Sequence, residues 1–186
     1  MDVDLLERAL KTTREVVVNT RPEQLDDPTP CDDWNVRNLL DHLIGMTATF
    51  AAGAAGEKPD APEGKDWVGD DHVASFDKAA NDAVTAFGQP GVMEQTFTYH
   101  WGETPAAAAL GLTISDVAVH GSDLAKATGQ PPSMDDDVAQ AVYGTTTSMM
   151  QPLGNFPRGG TFADPVEVPE DAPIAEKALA YLGRTP

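Results

Sequence analysis

The sequence predicts an all-α fold, a four-helix bundle with irregular additions, and three observations predict it. Long stretches repeat apolar residues at i, i+3 and i+4, which gathers them on one face of a helix. These stretches are of similar length and are separated by segments rich in proline, glycine and aspartate. The one stretch with two-residue alternation, VMEQTFTYHWGETP, is long enough only for a short hairpin or an extended connector.

The first helix covers about residues 3–19, with Leu5, Leu6, Ala9, Leu10, Thr13, Val16 and Val17 as its stripe. TRPEQLDDPTPCDDW then turns the chain back, and Asn35 is placed to cap a second helix over about residues 36–54. That helix buries Val36, Leu39, Leu40, Leu43, Ile44 and Thr47. Residues 55–70 lack periodicity and read as a surface loop. A third helix over about 71–88 carries Val73, Phe76, Ala79, Ala80, Ala83, Val84 and Phe87, and GQPG ends it. Thr104 and Pro105 suit the cap and first position of a long helix that stops at Gly129. A fifth helix is expected over about 134–151, then an irregular tail with room for one short strand, and a last helix over about 173–183. With no internal repeat and no compositional break, a single domain over 1–186 is expected, its architecture that of a helix bundle.

The charge narrows the partners. Twelve Lys and Arg face 30 Asp and Glu, a net charge of -18 spread along the chain. Such a surface repels phosphate backbones and anionic membranes, so neither nucleic acid nor membrane is an expected partner. No apolar run reaches the roughly 18 residues a membrane span needs. The acidic, amphipathic N-terminus is unlike a signal or transit peptide, so the cytoplasm is the expected compartment. Cys31 is the only cysteine, which excludes a disulfide framework and a multi-cysteine zinc knuckle, and leaves His and carboxylate to hold any metal.

The informative chemistry lies in ISDVAVHGSDLA. Asp116 and His120 stand four apart on a helix and project the same way, so a carboxylate and an imidazole could share one ion. They flank the apolar stripe of Leu110, Ile114, Val117, Gly121 and Leu124, at the rim of the core. His42 lies in the same relation to the stripe of the second helix. Facing helices of bundles build metal sites from such inward side chains, and three protein ligands leave a position open for water or substrate. On spacing alone, a helix-surface ion pair and a packed histidine are the competing readings.

TPCDDWNVRNLLDHLIG resembles the N-terminal signature of the DinB-like metal-binding superfamily, in the branch near mycothiol-dependent maleylpyruvate isomerase: a T-P-C stretch, a Trp, a capping polar residue and an apolar helix with an H-L pair. DVAVHGSDLAKATG is similar to that group's acid-x-x-x-H-x-x-D-L-A pattern. RGGTFADPVEVPEDAPIAEKALAYLGRTP resembles the tails of small actinobacterial metal-binding members. The resemblance implies a DinB-like four-helix bundle and a divalent metal ion held by His42, Asp116 and His120; imidazole and carboxylate donors suit zinc, nickel or iron, with zinc or nickel first. It also implies mycothiol as co-substrate. Two departures bear on the reaction. The isomerase is longer, with a C-terminal domain that helps bind substrate, and it has Glu where this chain has Asp116. The resemblance therefore extends to the metal site and not to maleylpyruvate isomerisation.

Several further residues have two readings each. Asp123 could accept a hydrogen bond from the N–H of a ligating imidazole, or pair with Lys126 on the surface. Cys31 could be a fourth ligand or a redox-sensitive thiol, although a small buried hydrophobe is the commoner role. Trp34 suits packing at the start of the second helix, or a cleft wall. His100 could contact substrate or lie exposed in its loop; Arg158 could bind a carboxylate or form a salt bridge. His72 is expected at the surface. Asp41 and Asp123 are the acids close enough in sequence to serve as bases. The expected function is a metal-dependent transferase or isomerase using a small thiol and an electrophile. A sensor or carrier of a small ligand, or a metal-dependent hydrolase, stands as the alternative, and a homodimer is left open.

Overall fold

The computed structural model describes residues 1–31, 33–132, 134–150 and 163–185. Arg158 and part of the tail in which a strand was expected lie outside them. The chain forms α1 (Val3–Asn19), α2 (Val36–Ala54), α3 (His72–Phe87), the strands β1 (Thr96–Tyr99) and β2 (Gly102–Pro105), α4 (Ala106–Ala127), α5 (Asp136–Met150) and α6 (Ile174–Tyr181). The protein is thus mostly helical, with one short antiparallel hairpin. Helix α1 packs against α3 and α4, and α2 packs against the same two, which closes a four-helix bundle. Helix α5 covers another side of α4, and α6 lies on α5. Among the described residues, no helix is long and apolar enough to cross a membrane.

Local chemistry starts the helices where the sequence signals stand. Asp2 accepts from the Leu5 amide, and Asp71 from those of Val73 and Ala74. Asn35 caps α2 reciprocally: its side chain accepts from the Asn38 amide at 2.9 Å, and Asn38 Oδ1 accepts from the Asn35 amide at 3.3 Å. Each pairing satisfies donors that the first helical turn leaves without a partner.

The apolar stripes meet at the bundle axis, where Leu6, Leu39, Leu43, Phe76, Phe87, Leu110, Ile114 and Leu124 are fully buried. Burial of each such side chain stabilises the fold by about 1.5–3 kcal/mol. Helices α1 and α4 approach closely at Gly121, where an added Cβ would lie 2.3 Å from Thr13 Oγ1. The Thr13 hydroxyl donates to the Val117 carbonyl at 3.1 Å, so this contact is polar inside an apolar seam.

Two expectations are corrected. Thr104 does not cap α4: it pairs with Phe97 in the hairpin, and its hydroxyl accepts from Trp101 Nε1 at 3.1 Å. The helix begins at Ala106 instead, whose amide finds the Gln95 carbonyl at 3.0 Å. The ladder claimed Thr104 because β2 must run to Pro105 to pair with Thr96. His72 is half-buried and not a surface residue, because its Nε2 donates to the Val17 carbonyl at 3.2 Å and ties the start of α3 to the end of α1.

Candidate metal centre

Helices α2 and α4 are neighbours, and their contact brings His42, Asp116 and His120 together. The three can offer one donor atom each, all within 4.8 Å of one another. Asp116 Oδ1 lies 3.2 Å from His42 Nε2 and 3.7 Å from His120 Nε2. Two donors on one tetrahedral ion stand about 3.4 Å apart, from ligand bonds of about 2.1 Å. The set therefore already has close to the right span. All three side chains sit at the rim of the core, with Asp116 at 17% and His120 at 12% exposure.

Asp116 Oδ2 is the telling atom: it is buried and has no hydrogen-bond partner. A buried carboxylate oxygen without a partner costs about 1–3 kcal/mol or more. The far edge of His120 sharpens the point. Its Nδ1 donates to Asp123 Oδ2 at 3.1 Å, which is the tautomer that directs an Nε2 lone pair toward Asp116. A lone pair facing a carboxylate requires a proton or a cation between them. The donor chemistry, the spacing and the unsatisfied oxygen all fit a divalent ion.

Asp123 is the support behind this ring. It is 2% exposed and sits in a polar cluster with Arg184, whose Nη2 and Nε donate to it at 3.1 and 3.4 Å, and with Cys31, whose thiol donates at 3.3 Å. Burial alone would raise the Asp123 carboxyl, but the hydrogen bond from His120 and the Arg184 guanidinium outweigh it and hold the group down to about 2. Lys126, the alternative partner, reaches the Thr185 carbonyl instead. Burial and the nearby Asp123 charge push the Cys31 thiol up to about 12. Cys31 lies on the Nδ1 edge of His120, 4.0 Å away, and so does not complete the His42–Asp116–His120 set. Cys31, His120 and Asp123 form a second group of possible ligands, but the thiol and carboxylate there already satisfy each other and Arg184.

On α2, burial lowers the basicity of His42, but the hydrogen bond and charge of Asp116, with the charges of Glu63 and Asp41, more than reverse it. Asp41 itself is occupied: Oδ1 accepts the amides of Trp67 and Val68 at 2.6 and 3.2 Å, which clamps the 55–71 loop onto α2. Trp34 stands over the centre, its ring 4.8 Å from that of His42 and 6.0 Å from that of His120. A cleft of about 370 Å³ opens beside it, walled by Trp34, Trp67, Asn38 and His42. His100 is elsewhere. It is exposed in the turn after β1 and packs on Trp101, in the hairpin that lies against Phe50 at the other end of α2.

Sequence reasoning missed Arg184 and the clamp made by Asp41. The signal for the first was an arginine near the end of a chain with only 12 Lys and Arg; the second had none.

Residues 6–125 match the family model for the mycothiol maleylpyruvate isomerase N-terminal domain. Two proteins of Mycobacterium tuberculosis, the uncharacterized proteins Rv0738 of strain H37Rv and MT0763 of strain CDC 1551, are each 34% identical over 181 residues. Each alignment covers 96% of this chain and 95% of the relative. The crystal structure of the mycothiol-dependent maleylpyruvate isomerase superposes with a TM-score of 0.65 at 13% identity, over 82% of this chain and 70% of that one, and so shares the fold. The matched stretch contains every residue of the His42–Asp116–His120 cluster, and the chain belongs to the mycothiol maleylpyruvate isomerase N-terminal domain family, within the DinB-like superfamily.

Proposed function

We propose that His42, Asp116 and His120 hold one divalent metal ion, zinc or nickel, and that the protein uses it as a transferase or isomerase acting with a small thiol, mycothiol. The observation that carries this reading is the buried, partnerless Asp116 Oδ2 beside two imidazoles. A bound divalent ion with an open position supplies Lewis acidity and favours the deprotonated, nucleophilic form of a thiol. The protein's part is to fix the donors. Asp123 sets the His120 tautomer and ring angle, Asp116 spans the two imidazoles, and Trp34 shields them from bulk water. The cytoplasm, where small thiols stay reduced, is the compartment this reading needs.

For the hydrolase alternative, the two acids the sequence offered as bases are both engaged, and the exposed carboxylates in the adjoining cleft are Asp33 and Glu63. Asp41 is engaged by two loop amides and Asp123 by His120, Arg184 and Cys31.

The test is elemental analysis after exhaustive dialysis. The wild-type protein should retain one divalent ion per chain, and His120→Ala should lose most of it while staying folded by circular dichroism. Equal metal content in the two proteins would sink the ligand assignment. Cobalt-loaded protein should then show a sulfur-to-metal charge-transfer band on addition of mycothiol; silence at millimolar thiol would remove the thiol from the proposal.

A further inference from the structure

The cleft that meets the cluster at His42 has a chemistry of its own. Its walls are two indoles, Trp34 and Trp67, and its polar lining is Asn38 with the carboxylates of Asp33 and Glu63. Among the described residues, no Lys or Arg lines it. Two cations border the region, and both are engaged. Arg37 pairs with Asp66 at 3.0 Å, and Lys65 lies over the Trp67 ring, 5.5 Å from its centre. His42 lines the same cleft as Glu63 and Asp41 and so joins cleft to cluster. Asp41 is held by loop amides, whereas Asp33 and Glu63 are exposed.

We propose that the molecule entering by this cleft carries ammonium or hydroxyl groups, not a carboxylate, where it meets Asp33 and Glu63. This deepens the proposed function and rests on the cluster being the reactive centre. Three physical terms point the same way. Indole faces attract cations, as Lys65 over Trp67 already shows, and Trp34 offers the cleft a second such face; the C–H faces of polyhydroxy rings stack on indoles as well. Carboxylates and an amide accept hydrogen bonds from ammonium and hydroxyl groups. A carboxylate ligand would meet the like charges of Asp33 and Glu63, most strongly at low salt. A dicarboxylic acid, the class to which maleylpyruvate belongs, is therefore the wrong cargo for this cleft.

The two cleft tryptophans report binding directly, and Trp101→Phe removes the distant third indole without touching the cleft. Cobalt-loaded Trp101→Phe protein is titrated with cysteamine, 2-mercaptoethanol and 3-mercaptopropionate, which share a thiol and differ in charge. Fluorescence and the charge-transfer band are read together. The affinity order should be amine, then alcohol, then acid, spanning at least about tenfold at low salt. Glu63→Lys should shrink or invert that order. Acid binding as tightly as amine, or an order that Glu63→Lys leaves unchanged, overturns the proposal. A missing charge-transfer band with every thiol overturns the thiol reading alone. In that case glucosamine and glucuronate, matched rings with opposite charge, decide the cleft's preference by fluorescence. Quenching by glucosamine and not by glucuronate supports it. Quenching by neither, or by glucuronate at least as strongly, overturns it.

Discussion

Replacing Asp123 by Asn keeps the volume of the side chain and removes its charge, which isolates what that buried carboxylate does. The asparagine oxygen can still accept from His120 Nδ1, but Arg184 loses its counter-ion, and one amide edge must point donors at donors. Removing one partner of a buried pair costs about 3–5 kcal/mol. Arg184 is 16% exposed and near the end of the described chain, so it can swing partly into water and the loss falls to about 2–3 kcal/mol. For a chain of this size that corresponds to about 4–12 °C in Tm. The pH dependence gives an independent check on metal-free protein. The folded carboxyl is held down to about 2, below its unfolded value, so its stabilisation is complete above about pH 4 and is lost as pH falls toward 2. Linkage puts that loss at about 2 kcal/mol, and the asparagine variant should lack it, so the two stability curves converge at low pH. Urea unfolding from pH 7 down to pH 2 measures both. Metal affinity, read by competition with a chelator, should fall about 10–100-fold because the support of a ligating imidazole has changed. Equal urea midpoints at pH 7 and parallel curves to pH 2 would refute the reading of Asp123 as an ionised, paired support.

Two further outcomes follow from the packing. Gly121→Ala should cost about 1–3 kcal/mol, because its methyl meets Thr13 Oγ1 at 2.3 Å and must push α1 from α4 or turn the Thr13 hydroxyl off Val117. Thr13→Ala in the same chain should restore part of the loss; an unchanged urea midpoint in the single variant would contradict the close approach. Cys31, with its thiol pushed up to about 12, should react with iodoacetamide at pH 8 on the order of a hundredfold more slowly than in the urea-unfolded chain. Equal rates in the two states would show that the thiol is neither buried nor held by Asp123.

The helices were legible because their signals are local. Stripes at helical spacing, Asn35 as a cap and Gly129 after the last turn of α4 are all read within one or two turns of chain, and the observed bounds follow them. The start of α4 was misplaced because its competitor was not local to the helix. Thr104 and Pro105 are good opening residues in isolation, but their β1 partners Phe97 and Thr96 recruit both into a ladder. His72 was misread for a related reason: its partner, the Val17 carbonyl, lies 55 residues away, and no pattern on α3 announces it.

The D-x-x-x-H-x-x-D spacing of α4 puts an acid on each edge of one imidazole, Asp116 four residues before His120 and Asp123 three after it. Spacing cannot say which acid is the ligand and which is the support, because the two are nearly symmetric about the ring. The fold breaks that symmetry with residues far along the chain. His42 arrives from α2 on the Nε2 side and leaves Asp116 Oδ2 unsatisfied, an oxygen with capacity to spare for an ion. Arg184 arrives on the other side, 61 residues beyond Asp123, and together with the Cys31 thiol it satisfies that carboxylate fully. A cation brought to the Nδ1 side would compete with a guanidinium already in place, whereas on the Nε2 side it would relieve an unpaired oxygen. On the proposed metal site, Arg184 therefore favours the His42–Asp116–His120 set over the one with Cys31 and Asp123 as much as the donor atoms do.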